Sequence, residues 1–211
     1  MNKNNRKEHL YKAAFRLFLT KQYDSVSISD IEKEANMTRG AITYYAGSKL
    51  NLFHEVLKYY LVDKQDLKYK ITSPTFKSLL DFINKYVDGC QRTMTNICGI
   101  LSEMPVCNVS RYYISLILEM SSYFPDLHEN YLENRNKELG IWISQLNRAI
   151  ETKEIRNDVD VVSVARHFIC IFYGQSYLDS LSMGLNTVEL RSQMTNLYKL
   201  LKPQKEDNVQ T

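Results

Sequence analysis

Residues 26–45, VSISDIEKEANMTRGAITYY, decide the fold. Ser27 followed by Asp30 is a capping box, Val26 and Ile31 stand at the staple positions around it, and Ile28, Ile31 and Ala35 give one apolar face. Asn36 tolerates the left-handed backbone that a helix end needs, and Thr38 then caps a second helix stapled by Met37 and Ile42. The turn runs only from Asn36 to Arg39, which is the connection of a helix-turn-helix. Charge separates the two helices. The first carries Asp30, Glu32 and Glu34, whereas the second opens Thr38-Arg39-Gly40-Ala41 with no acid in its first turn. Such a start leaves the positive end of the helix dipole for a phosphate. Ser48-Lys49-Leu50-Asn51 repeats the omission where a further helix begins. A helix pair with this charge pattern is built to sit on DNA.

On either side, apolar residues recur at spacings of three and four, and only seven glycines and four prolines interrupt 211 residues, so the chain reads as all-α with about nine helices. Leu10, Ala13, Ala14, Leu17 and Phe18 predict a first helix over about 6–20. Leu52, Phe53, Val56, Leu57, Tyr60 and Leu61 predict a long linking helix over 48–70. Ser73-Pro74 pairs a cap with proline at the first helical position and predicts a helix to about 95, with breaks at Pro105 and at Phe124-Pro125. Later helices are expected over about 125–153, from Asp158 or Asp160 to about 184, and from Asn186 and Glu189 to just before Pro203. The domain expectation is therefore a tail and helix-turn-helix unit over 1–47, a link over 48–70, a helical domain over 71–203 and a disordered tail over 204–211.

The net charge of +3 conceals an asymmetry, because residues 1–58 hold ten Lys/Arg against six Asp/Glu and the remainder holds seventeen against eighteen. The basic surplus coincides with the helix pair. Cys90, Cys98, Cys107 and Cys170 include no CxxC pair and His9, His54, His128 and His167 are scattered, so no zinc site, other metal or disulfide framework is expected. No glycine-rich phosphate loop or nucleophile motif is visible, and the expectation is a non-enzyme without a cofactor. No apolar stretch follows Met1 to Asn5, and no run reaches the ~20 apolar residues of a membrane span, which points to the cytoplasm.

Residues 10–57 resemble the N-terminal DNA-binding domain of the TetR family of transcriptional repressors. The resemblance rests on the ordered set Ala13-Ala14, Leu17-Phe18, Tyr23, the Ser27 to Ile31 cap, Ala35, Thr38, Gly40, Ile42, Tyr44, Ser48-Lys49, Leu52-Phe53 and Val56. Gln22 and Asn36 depart from the pattern where glycine is common and Glu32 where alanine is, and Tyr45-Ala46-Gly47 replaces the frequent histidine, phenylalanine and proline. The match implies that Arg39 and Thr43 read base edges, with Gly40 and Ala41 allowing close approach to the groove. Ser27 belongs to the same DNA-facing set, and Thr38, Tyr44, Tyr45 and Lys49 would position phosphates. The basic stretch from Lys3 to Lys7 is either a disordered tail or a further phosphate contact.

The resemblance also implies a homodimer on a two-fold symmetric double-stranded operator and a C-terminal domain that encloses a small-molecule inducer. Residues 159–183 are apolar on more than one face and thus need two partners. Leu190, Met194, Leu197 and Leu201 lie on one side of the last helix and suit the dimer interface. Tyr86, Tyr112, Trp142, Phe168 and Phe172 are candidates for the pocket, or else for ordinary core. Glu119, set in ISLILEMSSYF, must be exposed, paired with a cation such as Arg111 or Arg166, or turned to a polar or cationic ligand. Two functions stay open at this stage: a ligand-responsive repressor, and a DNA-bound regulator controlled by a protein partner or acting architecturally.

Overall fold

The computed structural model describes residues 3–65, 71, 75–101, 106–182 and 184–203, and among them lie nine α-helices and no strand. Local caps explain most of the helix starts. Helix α1 (Lys3–Thr20) is followed by a 3-10 turn at Tyr23–Ser25. Helix α2 (Ile28–Ala35) begins at the reciprocal Ser27–Asp30 box and ends on Asn36, whose φ of 47° and ψ of 50° are left-handed. Helix α3 (Arg39–Ala46) is capped by Thr38 and stopped by Gly47 at φ 72°, a conformation open to glycine and closed to proline. Ala46, where the family commonly has an aromatic ring, is buried.

Helix α4 (Lys49–Leu57), capped by Ser48, does not run on as regular α-helix. It widens into a π-turn at Lys58–Val62 and tightens to 3-10 geometry at Asp63–Gln65, and the end of the expected link lies outside the described residues. Helix α5 (Leu79–Ile100) starts later than the sequence suggests. Ser73, Pro74 and Pro105 lie outside the described residues, but Thr75 and Phe76 are not helical, and the cap is Ser78, whose hydroxyl accepts from the Asp81 amide. The remaining helices are α6 (Val106–Tyr123), α7 (Pro125–Glu151), α8 (Val161–Ser180) and α9 (Thr187–Leu200). Proline opens α7, Asp160 rather than Asp158 caps α8, and Asn186 caps α9.

Two buried clusters hold these elements together. One joins α1 to α4 and runs without a break into α6 and the start of α7 through Val109, Leu116, Met120, Phe124 and Leu127. The other joins Phe76, α5, the rest of α7, α8 and α9, and centres on Trp142 stacked on Phe168 at 4.5 Å. Each large side chain fully buried here stabilises the fold by about 1.5–3 kcal/mol relative to exposure. Leu190, Met194 and Leu201 belong to this second cluster. They are buried within the chain and Leu197 packs against it, which overturns their reading as a dimer face. Periodicity alone identified an apolar stripe but not its partner, which is α5. Outward apolar residues include Val162, Tyr177, Leu178 and Leu181 on α8 and just beyond it, and Val188 and Leu200 at the two ends of α9.

Candidate DNA interface and ligand cavity

Helix α3 presents Arg39, Gly40, Thr43 and Tyr44 to solvent, while Ile42 and Ala46 anchor it in the core. Tyr44 is 68% exposed, an unusual position for an aromatic ring, and meets the Tyr45 ring edge-on at 5.1 Å. A Cβ added at Gly40 would meet nothing within 4 Å, so the chain itself does not require glycine there. The first turns of α3 and α4 contain no acid. Thr38 accepts from the Ala41 amide at 3.4 Å, and Ser27 is engaged with Asp30, whose carboxyl those contacts hold below its usual range. Ala41 is half-buried, and Tyr45 packs partly against the first core cluster.

Lys49 does not point outward. Its ammonium donates to the backbone carbonyls of Tyr23 at 2.9 Å and Val26 at 2.8 Å, and lies 4.0 Å from the centre of the Tyr23 ring. That geometry makes Lys49 a strut between α4 and the turn before α2, and corrects its assignment as a phosphate contact. The cause is the turn before α2, which brings the Tyr23 carbonyl, already accepting from the Val26 amide, and the Val26 carbonyl within reach of a long cationic side chain.

Glu119 also differs from every alternative read from the sequence. Its Oε1 accepts from the Tyr23 backbone amide at 2.9 Å, and Arg111 instead donates to the Ser180 carbonyl. One turn further along α6, the Tyr123 hydroxyl donates to Asp24 at 3.1 Å. Just past the end of α6, His54 meets Asp126 at 2.9 Å, which lowers the Asp126 carboxyl below its usual range. The rings of Tyr23, Phe53, Tyr123 and Phe124 pack beneath these polar links. Glu119 thus fastens α6 to the helix-turn-helix unit and is not a pocket residue.

The same helix α6 forms a wall of a cavity of about 290 Å³. Val109, Tyr113, Ile114 and Ile117 come from α6, Met94 and Ile97 from α5, Tyr131, Arg135 and Glu138 from α7, and Phe172, Tyr173 and Ser176 from α8. Of the five aromatic residues expected in a pocket, only Phe172 lines this one. Tyr86, Trp142 and Phe168 are fully buried behind it, and Tyr112 packs against the first core cluster. The Tyr86 hydroxyl nevertheless reaches the cavity chemistry, because it donates to Glu138 Oε1 at 2.6 Å. Burial first, and then the Glu138 charge, push the Tyr86 and Tyr173 phenols far above their usual range. Sequence reasoning missed Glu138 because it ends the polar run ENRNKE and reads as solvated surface. The available signal was its helical spacing, four residues before Trp142 and seven after Tyr131.

Residues 10–56 match the family model described as bacterial regulatory proteins, tetR family. No curated protein matches the chain. Its fold is similar to that of a TetR-family transcriptional regulator from Cytophaga hutchinsonii, at 15% identity and a TM-score of 0.64, covering 97% of this chain and 99% of that one. GusR of Salmonella enterica is similar at 19% identity and 0.58, with 94% and 98% covered. The tetR regulator tylp of Streptomyces fradiae is similar at 22% and 0.56, with 95% and 86% covered. Residues 10–56 thus match the N-terminal domain of the tetR family of bacterial regulatory proteins, with α2 and α3 as its helix pair, and the whole chain shares the all-helical fold of these solved structures.

Proposed function

We propose that the protein is a homodimeric repressor, acting in the cytoplasm, that a small molecule releases from a two-fold symmetric operator. In this reading residues 1–47 bind DNA, 48–70 link, and 71–203 bind ligand and dimerise. Arg39 and Thr43 read base edges, Gly40 and Ala41 permit the approach, and Thr38, Tyr44 and Tyr45 hold phosphates. The observation that carries ligand control is the double duty of α6, which forms a cavity wall through Tyr113 and Ile117 and grips the Tyr23–Ser25 turn through Glu119 and Tyr123. A ligand that moves the wall must strain or relax that grip, and only such a difference between states can release DNA.

Selection from random duplexes tests the reading. The expected product is a dyad-symmetric site with half-site centres about 34 Å or a multiple apart, from which a small-molecule extract of the host cells dissociates the protein. A site without dyad symmetry would overturn the dimer. Dissociation by no small-molecule fraction, but by a protein fraction, would favour the partner-controlled alternative.

A further inference from the structure

We propose that the cavity takes an apolar organic cation, its charge set against Glu138 and within a cage of aromatic rings. The proposal rests on the ligand-responsive reading and adds the chemical class. Glu138 is only 5% exposed, and one of its oxygens is occupied by the Tyr86 hydroxyl. Among the described residues no cation lies within 4 Å of it. The adjacent Lys137 pairs with Glu133 at 3.6 Å, and Arg135, which lines the cavity one turn away, lies over the Tyr173 ring at 4.8 Å. A buried carboxylate with a single neutral donor is under-compensated, and a positively charged ligand group would supply what the chain does not.

A second, independent observation comes from the α6 wall. The ring of Tyr113 lines the cavity, while its hydroxyl is buried without a hydrogen-bond partner. Such a group is destabilising until an acceptor reaches it, so a ligand carrying an ether or carbonyl oxygen beside its charge fits better than a plain hydrocarbon. The rings of Tyr113, Tyr131, Phe172, Tyr173 and Tyr177 line the same cavity; aromatic faces attract a cation, as Arg135 over Tyr173 already illustrates. An anion would meet the Glu138 carboxylate and the aromatic rings, and only Arg135, already set over the Tyr173 ring, opposes them with positive charge.

Three probes of similar size separate the possibilities: benzyltrimethylammonium, its uncharged carbon isostere neopentylbenzene, and the anion phenylacetate. Equilibrium dialysis measures binding, and fluorescence of Trp142, the one tryptophan of the chain, reports its place, because the indole ring is 5.2 Å from that of Tyr86. The ammonium should bind about tenfold or more tightly than the isostere. Glu138→Gln should abolish that preference while leaving neopentylbenzene affinity unchanged, which also shows that the variant is folded, and Tyr86→Phe should keep the preference because the carboxylate remains. Equal binding of ammonium and isostere, tighter binding of phenylacetate, or a preference that survives Glu138→Gln would each overturn the cation assignment while leaving a ligand cavity in place. Failure of all three probes to bind at millimolar concentration would overturn the cavity as a ligand site and with it the ligand-responsive reading.

Discussion

Lys49 and Arg39 show how the same charge can do opposite work within ten residues. Arg39 is exposed at the start of α3, whereas Lys49 spends its ammonium on two carbonyls and a ring. Arg39→Ala or Thr43→Ala should therefore relax preference at one or two operator positions at a cost of roughly 1–3 kcal/mol, visible as an altered binding-site logo. Lys49→Met should instead lower the stability of the protein by about 1.5–3 kcal/mol in thermal denaturation. It should leave the salt dependence of operator binding unchanged, and a salt slope reduced by one unit would restore Lys49 to the phosphate contacts. What the sequence disclosed at this scale was local. Ser27, Asn36, Thr38, Ser48 and Asn186 cap helices because each needs only neighbours within a few residues. Glu119 and Glu138 could not be read in that way, since the first finds its partner 96 positions away and the second 52.

At the scale of elements, the apolar face of α8 is where the chain and the pattern diverge most instructively. Period alone showed that residues 159–183 have more apolar sides than one core can cover, and the structure distributes them: Ala165 and Phe168 inward, Phe172 and Tyr173 on the cavity, Val162 and Leu178 outward. Leu178→Glu should yield a monomer in sedimentation at micromolar concentration with an unchanged melting temperature, and operator affinity should fall at least about a hundredfold because one half-site alone binds weakly. A dimer that survives this change would move the interface elsewhere. Leu190→Glu, in contrast, should fail to fold, because it places a charge in the second buried cluster. On α6, Glu119→Gln should weaken the acceptor facing the Tyr23 amide, so hydrogen exchange at Tyr23 should accelerate severalfold while binding to the bare operator stays near wild type. Unaltered exchange would mean that the contact does not fasten the two units in solution.

For the whole molecule, fifteen tyrosines make high pH the informative perturbation. Burial pushes Tyr60 up to about 12 and holds Tyr11, Tyr86, Tyr113 and Tyr173 higher still, aided in Tyr11 by Glu55 and in Tyr86 and Tyr173 by Glu138. Unfolded phenols ionise near 10. The stability these groups contribute is thus fully present below about pH 10 and drains away as pH rises toward their folded values, since only the unfolded chain gives up the protons. The buried phenols should ionise in one cooperative step together with the loss of helical circular dichroism above that pH. Full ionisation of all tyrosines with the helical signal intact would contradict the packing described for Tyr86 and Tyr113. Much of this architecture was legible from period and punctuation, including the number of helices and the helix-turn-helix. The cavity was not, because it is defined by faces of four helices that meet only after folding.

The widened turn at Lys58–Val62 behaves as an angular setting in a screw thread. A regular α-helix advances about 100° per residue, so one residue gained or lost there rotates everything on its N-terminal side by roughly that angle relative to everything beyond. Both sides of the thread are pinned, the far side because the Asn134 side chain donates to the Val62 carbonyl and the near side by the Tyr23–Glu119 and His54–Asp126 links. Residue count in this turn, more than residue identity, therefore keeps those links in register with one another, since a change of one residue would swing each partner out of reach.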